Sequence, residues 1–584
     1  MKLLALAFLF PALTCAQPQL PRAASPIDAA RAAVDIFVPD LELASLDGEP
    51  VTLSSLLGTR PAVIIMSSVG CPLCRAYAPR LASIEQEFTP KGVAFVHVNV
   101  VDGESRADKA EFVRNFGLFG HYVSDSLGNI RRALRPRTTT EVYVLDRARR
   151  VVYHGAVDDQ YRLGGRATKV TRHYLREALS AVLAGGPIKD RATSAPGCLV
   201  DLPSPDAAPG EPFYPRIASL VQRHCADCHG QGGAGPFTIS TPADIEGRAA
   251  MMAAVIDEGI MPPNHALSAG PGTGRELPEA DRAAFLAWLR STRVVGDAAA
   301  APPPNDPPTT WAIGRPDIHA LAGELLVPAD GPPAHERSLT NLNLATDTWV
   351  QAIECRPVMR DSIQLALVWL LLPGEPIPSQ TEPPAPGRLI ATYSPGEGLV
   401  TFRPGDALRV PAGAAILTDI YSKVMGRTMT AQLRVAMKAT SAPPQREVRT
   451  VLISAPDLSL PPGAPSTDIE VPFTLPQPLT LLAARPVMRW RGRSLSLDQL
   501  HPDGPEPILS LDRYEPRWLL RYTFPDAPSL PAGTRLSLRA SFDNSPANPA
   551  NPDSAVQVSR GFGYLDDTLM LAIEHAVPLD PQSP

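Results

Sequence analysis

The stretch Cys225-Ala226-Asp227-Cys228-His229 constrains this chain more than any other. Two thiols spaced by two residues can each bond a vinyl group of one porphyrin, and the adjacent imidazole then ligates the iron from one face. The domain that carries this run is therefore expected to be built around a covalently held haem c. The sixth iron position falls to Met261, 32 residues after His229, where Pro262-Pro263 fixes the local backbone. A thioether is a soft, neutral ligand, and His/Met ligation raises the potential towards electron transfer. His224 and His265 stand nearby as alternatives for that place. The competing reading, a structural zinc or a disulfide, wants a second Cys/His pair close by. The next cysteine, however, is Cys355.

At 584 residues the chain is too long for one core. A net charge of −6 offers no basic footprint, so no nucleic-acid partner is expected. Met1-Lys2, an apolar run over Leu3 to Leu13 and then Thr14-Cys15-Ala16 read as a secretory signal peptide over residues 1–16. Ala12 to Cys15 loosely matches a lipoprotein anchoring signal, with Thr14 a poor fit before the Cys, and cleavage after Ala16 is preferred. No later segment holds 18 uninterrupted apolar residues, so no transmembrane segment is expected. The mature protein is expected in the periplasm or outside the cell, where disulfides persist. Without Cys15, six cysteines remain: the pairs Cys71/Cys74 and Cys225/Cys228, and the singles Cys198 and Cys355. The singles can pair with each other, but spacing does not decide connectivity.

Residues 28–190 read as an α/β domain. The buried-strand pattern Val63 to Ser67 leads into Gly70-Cys71-Pro72-Leu73-Cys74, and Arg75 to Phe88 then carries helical spacing. Strand, Cys-x-x-Cys, helix is the order of a thioredoxin-like redox site. The leading thiol sits at a helix N-terminus, whose partial positive charge favours thiolate. Cys71 is thus the expected attacking thiol and Cys74 the resolving one; a structural disulfide is the other reading. Val93 to Val98 forms the next strand, Glu111 to Phe116 part of a helix, and Val142 to Leu145 with Val151 to His154 a hairpin. Cys71 to Cys74 with Tyr77-Ala78-Pro79-Arg80-Leu81, and Tyr143-Val144-Leu145-Asp146 followed by Asp158-Asp159, resemble the peroxiredoxin-like branch of thioredoxin-fold proteins. Thr138 to Val142 lacks the proline that thioredoxins place beside the site, and Ile64 takes the Pro place of the peroxidatic motif. Thiol–disulfide oxidoreduction or an antioxidant role is therefore the implied activity, with peroxide reduction the weaker form. His97, His121, His154 and His173 lack ligand spacing and read as core or surface residues.

Residues 191–212, rich in Pro, Ala, Ser and Gly, read as a linker that contains Cys198. Residues 213–298 follow as a small all-α haem domain. Helical spacing over Tyr214 to His224 delivers the haem motif, Ala243 to Glu258 leads to Met261, and a third helix starts at Pro278 and runs to about Arg290. Three helices around one porphyrin resemble the small cytochrome c fold. The Pro-rich run near 299–309 reads as a second linker.

Residues 310–580 change to short apolar runs with Pro/Gly turns, among them Ser362 to Leu372, Ile416 to Tyr421, Ala431 to Met437, Val448 to Ile453, Leu519 to Phe524 and Thr534 to Phe542. The pattern predicts an all-β double sandwich. Arg356-Pro357-Val358-Met359-Arg360 recurs as Arg485-Pro486-Val487-Met488-Arg489, an echo consistent with two related halves. Trp349 to Ala352, Glu354 to Pro357, Pro411 to Gly413, Arg491-Gly492, Arg513-Tyr514 and Phe542 to Pro549 resemble the copper type II, ascorbate-dependent monooxygenases. That resemblance implies two sandwiches with one copper each. The ligand positions are changed, however. Gln364-Leu365 stands for a His pair, Ile420 precedes Tyr421-Ser422 where that family has His, Val487 to Arg489 replaces His-x-His, and Thr568 follows Asp566-Asp567. Copper is accordingly not expected, and Met359, Met488 and Met570 read as core packing.

The sequence thus points to an exported bacterial redoxin/cytochrome c fusion that exchanges electrons with a redox partner protein or a small donor or acceptor. A copper-dependent monooxygenase and an extracytoplasmic binding or scaffold protein with vestigial redox domains are the alternatives.

Overall fold

The computed structural model describes residues 20–202, 207–263, 266–269, 272–273, 275–303, 311–359, 361–379 and 388–579. The expected signal peptide with Cys15, the alternative ligand His265 and Arg360 lie outside the described residues.

The first region is built on a seven-stranded sheet of β1 (Glu42–Ser45), β2 (Pro50–Thr52), β3 (Ala62–Ser67), β4 (Ala94–Asn99), β5 (His121–Ser124), β6 (Val142–Leu145) and β7 (Val151–Gly155), in the order β2-β1-β5-β4-β3-β6-β7. β3, β4 and β5 are parallel, and β6 and β7 extend the sheet antiparallel. Every residue of β3 is buried because both faces of the sheet are covered. Val63 and Ile65 point to the side packed by Tyr77, Leu81, Phe112 and Leu175, whereas Ile64 and Met66 point to the side packed by Leu53, Leu57, Ile130 and Leu134. The helices on the sheet are α1 (Leu53–Leu57), α2 (Pro72–Phe88), α3 (Arg106–Phe116), α4 (Asn129–Leu134) and α5 (Tyr174–Ala184). α2 begins directly after Cys71, with Pro72 in its first turn, where a missing N–H costs nothing.

The second region is helical: α6 (Ala218–His224), α7 (Ala226–His229), α8 (Pro242–Ile245), α9 (Ala249–Asp257) and α10 (Glu279–Arg290). They bury Phe213, Ile217, Leu220, Phe285 and Trp288 in one core. The single helix expected over 243–258 is in fact two. Gly247 takes φ +77, and a Cβ there would stand 2.6 Å from the Asp102 backbone nitrogen. The chain breaks where it touches the first region.

The third region is all β and multi-sheet. Strands Ile318–Val327, Met429–Ala439, Thr348–Pro357 and Asp406–Val410 face a four-stranded sheet made by His335–Asn341, Ala415–Ser422, Ile363–Leu371 and Leu389–Tyr393. The second half repeats the arrangement with Arg446–Ser454, Met570–Pro578 and Leu479–Val487 against Thr467–Thr474, Arg535–Phe542, Gly492–His501 and Gly504–Arg513. Asp406 and Ala407 pair in parallel with Arg446 and Glu447, which joins the two halves into one ten-stranded sheet. Each half has its own core, and Leu365, Trp369, Leu417, Val487, Leu519 and Met570 fill a further cluster between them. The two copies of the pentapeptide begin at corresponding strand ends of that large sheet. Met488 and Met570 are buried, but Met359 is 36% exposed and does not pack in the core. Residues 519–524 contribute only a two-residue strand, Tyr522–Thr523.

Candidate functional site

Cys71 caps the N-terminus of α2 and Cys74 lies in its first turn, both buried. The loop between β3 and α2 is held by one carboxylate. Glu104 accepts hydrogen bonds from Ser68 Oγ (2.7 Å), Val69 N–H (2.9 Å), Gly70 N–H (2.9 Å) and Asn99 Nδ2 (2.6 Å). Its fifth donor comes from the helical region, Arg248 Nη2 at 2.8 Å. Cys74 donates its S–H to the Thr139 carbonyl (3.0 Å). Cys198 is brought against Cys71, and Cys198 and Cys355 are both free thiols rather than a pair. Cys355 sits in strand Thr348–Pro357, where burial pushes its thiol up to about 12.

Hydrogen bonding, above all from the Cys198 thiol, holds Cys71 well below the usual thiol value, against the opposing effect of burial. Burial and the hydrogen bond to Cys71 drive Cys74 well above that value. The hydrogen bond to Cys71 and burial do the same to Cys198. One nucleophilic sulfur is therefore flanked by two protonated ones. That is the arrangement disulfide exchange requires, a thiolate to attack and thiols to resolve.

In the second region α6 ends at His224, and α7 carries Cys228 and His229. All four cysteines of the two pairs are free thiols in this structure. His229 Nδ1 is 2.9 Å from the Phe237 carbonyl, which places the proton on Nδ1 and orients the ring. The Phe237 ring lies under the Arg248 guanidinium at 4.8 Å, so the residue that grips Glu104 also covers the residue that orients His229. His224 is bonded to Asp281 at 2.9 Å and is engaged elsewhere. Arg275 approaches Cys228 Sγ at 3.8 Å and pairs with Glu397 of the β region at 2.7 Å.

A cavity of about 600 Å³ opens beside these groups. Its walls include Cys225, Cys228, His229 and Met261, with Met252, Val255 and Ile256 supplying apolar surface. The size, the apolar lining, the two free thiols and the tautomer-fixed imidazole fit a haem. Met261 faces the same cavity as His229. The cavity continues past the helical region, because Cys71 and Cys198 line it on one side and Tyr421, Arg489 and Trp490 on another. Arg489 stacks on both rings, at 4.3 and 5.8 Å. Gln364 and Leu365 also reach this space. Among the described residues no group of three or more His, Cys, Asp or Glu side chains is arranged to hold a metal ion. His335, also on the cavity, is instead bonded to Asp419 at 3.0 Å and stacked on Tyr421.

Of the residues singled out from sequence, the structure brings Cys71 together with Cys74, and Cys225, Cys228, His229 and Met261 around one cavity. It adds Cys198, Glu104 and Arg248. A cysteine left over after pairing was the only signal for the first; nothing local marked the other two. Of the remaining histidines of the first region, His121 and His173 are exposed and the other two are packed in ion-pair contacts. His97 forms a buried pair with Glu85, and His154 contacts Glu141 at 3.1 Å.

Residues 32–166 match the Redoxin family model and residues 216–293 the Cytochrome c model. No curated protein sequence matches the chain. Among solved structures, the chain is similar to an uncharacterized conserved protein from Geobacillus kaustophilus, with 25% identity, 32% of this chain and 98% of that one covered, and a TM-score of 0.28. It is also similar to a hypothetical protein from Sinorhizobium meliloti 1021 (24% identity, 30% and 96% covered, TM-score 0.27). A third is a secreted Mycobacterium tuberculosis disulfide oxidoreductase (22% identity, 19% and 79% covered, TM-score 0.17). The two matched domains support a thiol–disulfide redox protein that binds haem c. No described helix is long and apolar enough to cross a membrane.

Proposed function

We propose that this is an exported electron-transfer protein in which a Cys71/Cys74 thiol site and a covalent haem c share one cavity. Cys225 and Cys228 would hold the porphyrin covalently, and His229 and Met261 would ligate its iron. When bound, the haem supplies one-electron chemistry. Cys71 attacks a substrate disulfide, its leaving thiolate takes a proton, and Cys74 then displaces the second thiol to close the Cys71–Cys74 bond. The shared cavity carries this reading, since a partner that enters it meets both redox groups. The β region, read as a copper monooxygenase-like domain without its copper ligands, supplies the third wall through Tyr421, Arg489 and Trp490.

The test is protein made in a host that matures c-type haem. Denatured, acid-acetone-washed protein should stay coloured and Cys225→Ser/Cys228→Ser should not. Met261→Ala should keep the colour and lower the reduction potential, and metal analysis should find iron without stoichiometric copper. Colourless washed wild-type protein, or one copper per chain, overturns the proposal.

A further inference from the structure

Cys198 belongs to a strap that leaves the first region and crosses its active end. The strap is fastened to the loop that supports Cys74. Thr139 N–H donates to the Cys198 carbonyl (3.0 Å), Val200 N–H to the Arg137 carbonyl (2.9 Å) and Thr138 Oγ1 to the Ala195 carbonyl (3.0 Å). Thr140 Oγ1 bonds the Pro196 carbonyl as well. The fit is close enough that a Cβ on Gly197 would meet Thr138 Cβ at 2.9 Å. One residue therefore positions both neighbours of Cys71, since the Thr139 carbonyl lies against the Cys74 thiol while its N–H holds Cys198. The two neighbours differ in access. Cys74 is buried behind Cys71, whereas Cys198 is partly exposed and, like Cys71, lines the large cavity.

We propose that Cys198 is a third redox thiol, a second resolving partner for Cys71 that carries the disulfide to the cavity side of the site. The inference rests on the reading of Cys71/Cys74 as an exchanging pair. In the step assigned here, Cys71 is first joined to a substrate sulfur in a mixed disulfide. Cys198 Sγ then bonds to Cys71 Sγ, the bond to the substrate sulfur breaks, and that sulfur leaves with the electron pair and takes up the Cys198 proton. The same attack on a Cys71–Cys74 bond expels Cys74 and consumes no oxidant or reductant, so the two internal disulfides interconvert. The strap bonds that fasten Cys198 beside the Cys74-bearing site, and the shared cavity wall of Cys71 and Cys198, bring the two thiols together for this exchange.

The test is disulfide mapping of the haem-loaded full chain, equilibrated in graded mixtures of reduced and oxidised glutathione, acid-quenched and digested without reduction. Wild type should yield both Cys71–Cys74 and Cys71–Cys198 peptides. Cys74→Ser should retain Cys71–Cys198 as its single internal disulfide, and Cys198→Ser should retain Cys71–Cys74. Cys74→Ser/Cys198→Ser should trap glutathione on Cys71, at least tenfold more than either single variant. If wild type forms only Cys71–Cys74, or folded Cys74→Ser holds glutathione on Cys71 with Cys198 free, the third-thiol role is wrong while the dithiol reading stands. If wild type forms neither bond, the dithiol reading itself fails.

Discussion

Replacing Arg248 by Met leaves the Glu104 carboxylate buried without its cation. Glu104 is 2% exposed and Arg248 11%, so solvent screens the pair little. Removing one partner of a buried pair costs about 3–5 kcal/mol when the remaining charge is uncompensated. Glu104 keeps its bonds from Ser68, Val69, Gly70 and Asn99. The loss therefore falls to that of one charge-assisted hydrogen bond, about 2 kcal/mol. Met keeps cover over Phe237, which limits any packing loss. The Val69 and Gly70 amides both donate to Glu104, so hydrogen exchange at these positions reads the effect where it arises. Their exchange should accelerate roughly 30-fold in Arg248→Met, the factor that 2 kcal/mol implies at about 1.4 kcal/mol per decade. Glu104→Gln and the double variant complete the cycle, whose coupling should be about 2 kcal/mol. Unchanged exchange, or coupling below about 0.5 kcal/mol, would show that the thiol loop does not depend on the helical region.

Three further outcomes follow from the same structure. With all free thiols reduced, alkylation of Cys71 should rise with a midpoint well below the ordinary thiol value of about 8.5, and move up in Cys198→Ala because that hydrogen bond is the largest cause of the shift. A wild-type midpoint at or above the ordinary value contradicts this. Burial alone would raise Asp419, but hydrogen bonds from His335 and Arg337 outweigh it and hold the carboxyl below its usual range. The stability this confers is full above the unfolded value of about 3.9 and lost as pH falls through the lower folded value. Asp419→Asn should flatten the acid limb of urea midpoints for the β region, and an unchanged limb sinks the assignment. Trp288 is 1% exposed, lies 5.0 Å from the Phe213 ring and bonds the Val294 carbonyl. Trp288→Ala should destabilise the helical region by about 3–5 kcal/mol, read as a lowered thermal midpoint of the haem band; a midpoint within experimental error of wild type argues against that packing.

What was legible in the sequence was what local patterns encode. The apolar run Val63 to Ser67 gave a buried strand, Cys71-Pro72 opened a helix, and the alternation over Ala431 to Met437 gave a strand, because side-chain period and helix capping act over a few residues. The failures have non-local causes. Residues 243–258 carry helical spacing throughout, yet the helix breaks at Gly247 because that backbone meets Asp102. Leu519 to Phe524 looks like a strand, but Leu519 fills the cluster between the β halves while Leu520 fills the core of the second half. Both therefore bury from irregular backbone. Cys198 lies in a Pro- and Gly-rich stretch that reads as a linker, and its place is fixed by bonds to residues 137–140, some sixty positions earlier. A residue pattern can show that a cysteine is unpaired, but not which thiol it is delivered to.

The same distinction explains why the cavity was invisible while its ligands were not. Each redox motif is a local device: a helix N-terminus for Cys71, a helical turn followed by a carbonyl anchor for His229. Their relation depends on contacts between regions, above all Glu104 with Arg248 and Arg275 with Glu397. Arg248 → Phe237 → His229 then forms a continuous run of contacts from the thiol loop to the His229 imidazole. Such contacts add little to either region alone, since each has its own buried core. Their effect is to fix the orientation of the two motifs relative to one another. The coupling of the two motifs therefore lies at the interface, and loss of the Arg248 cation perturbs it while leaving both motifs unaltered.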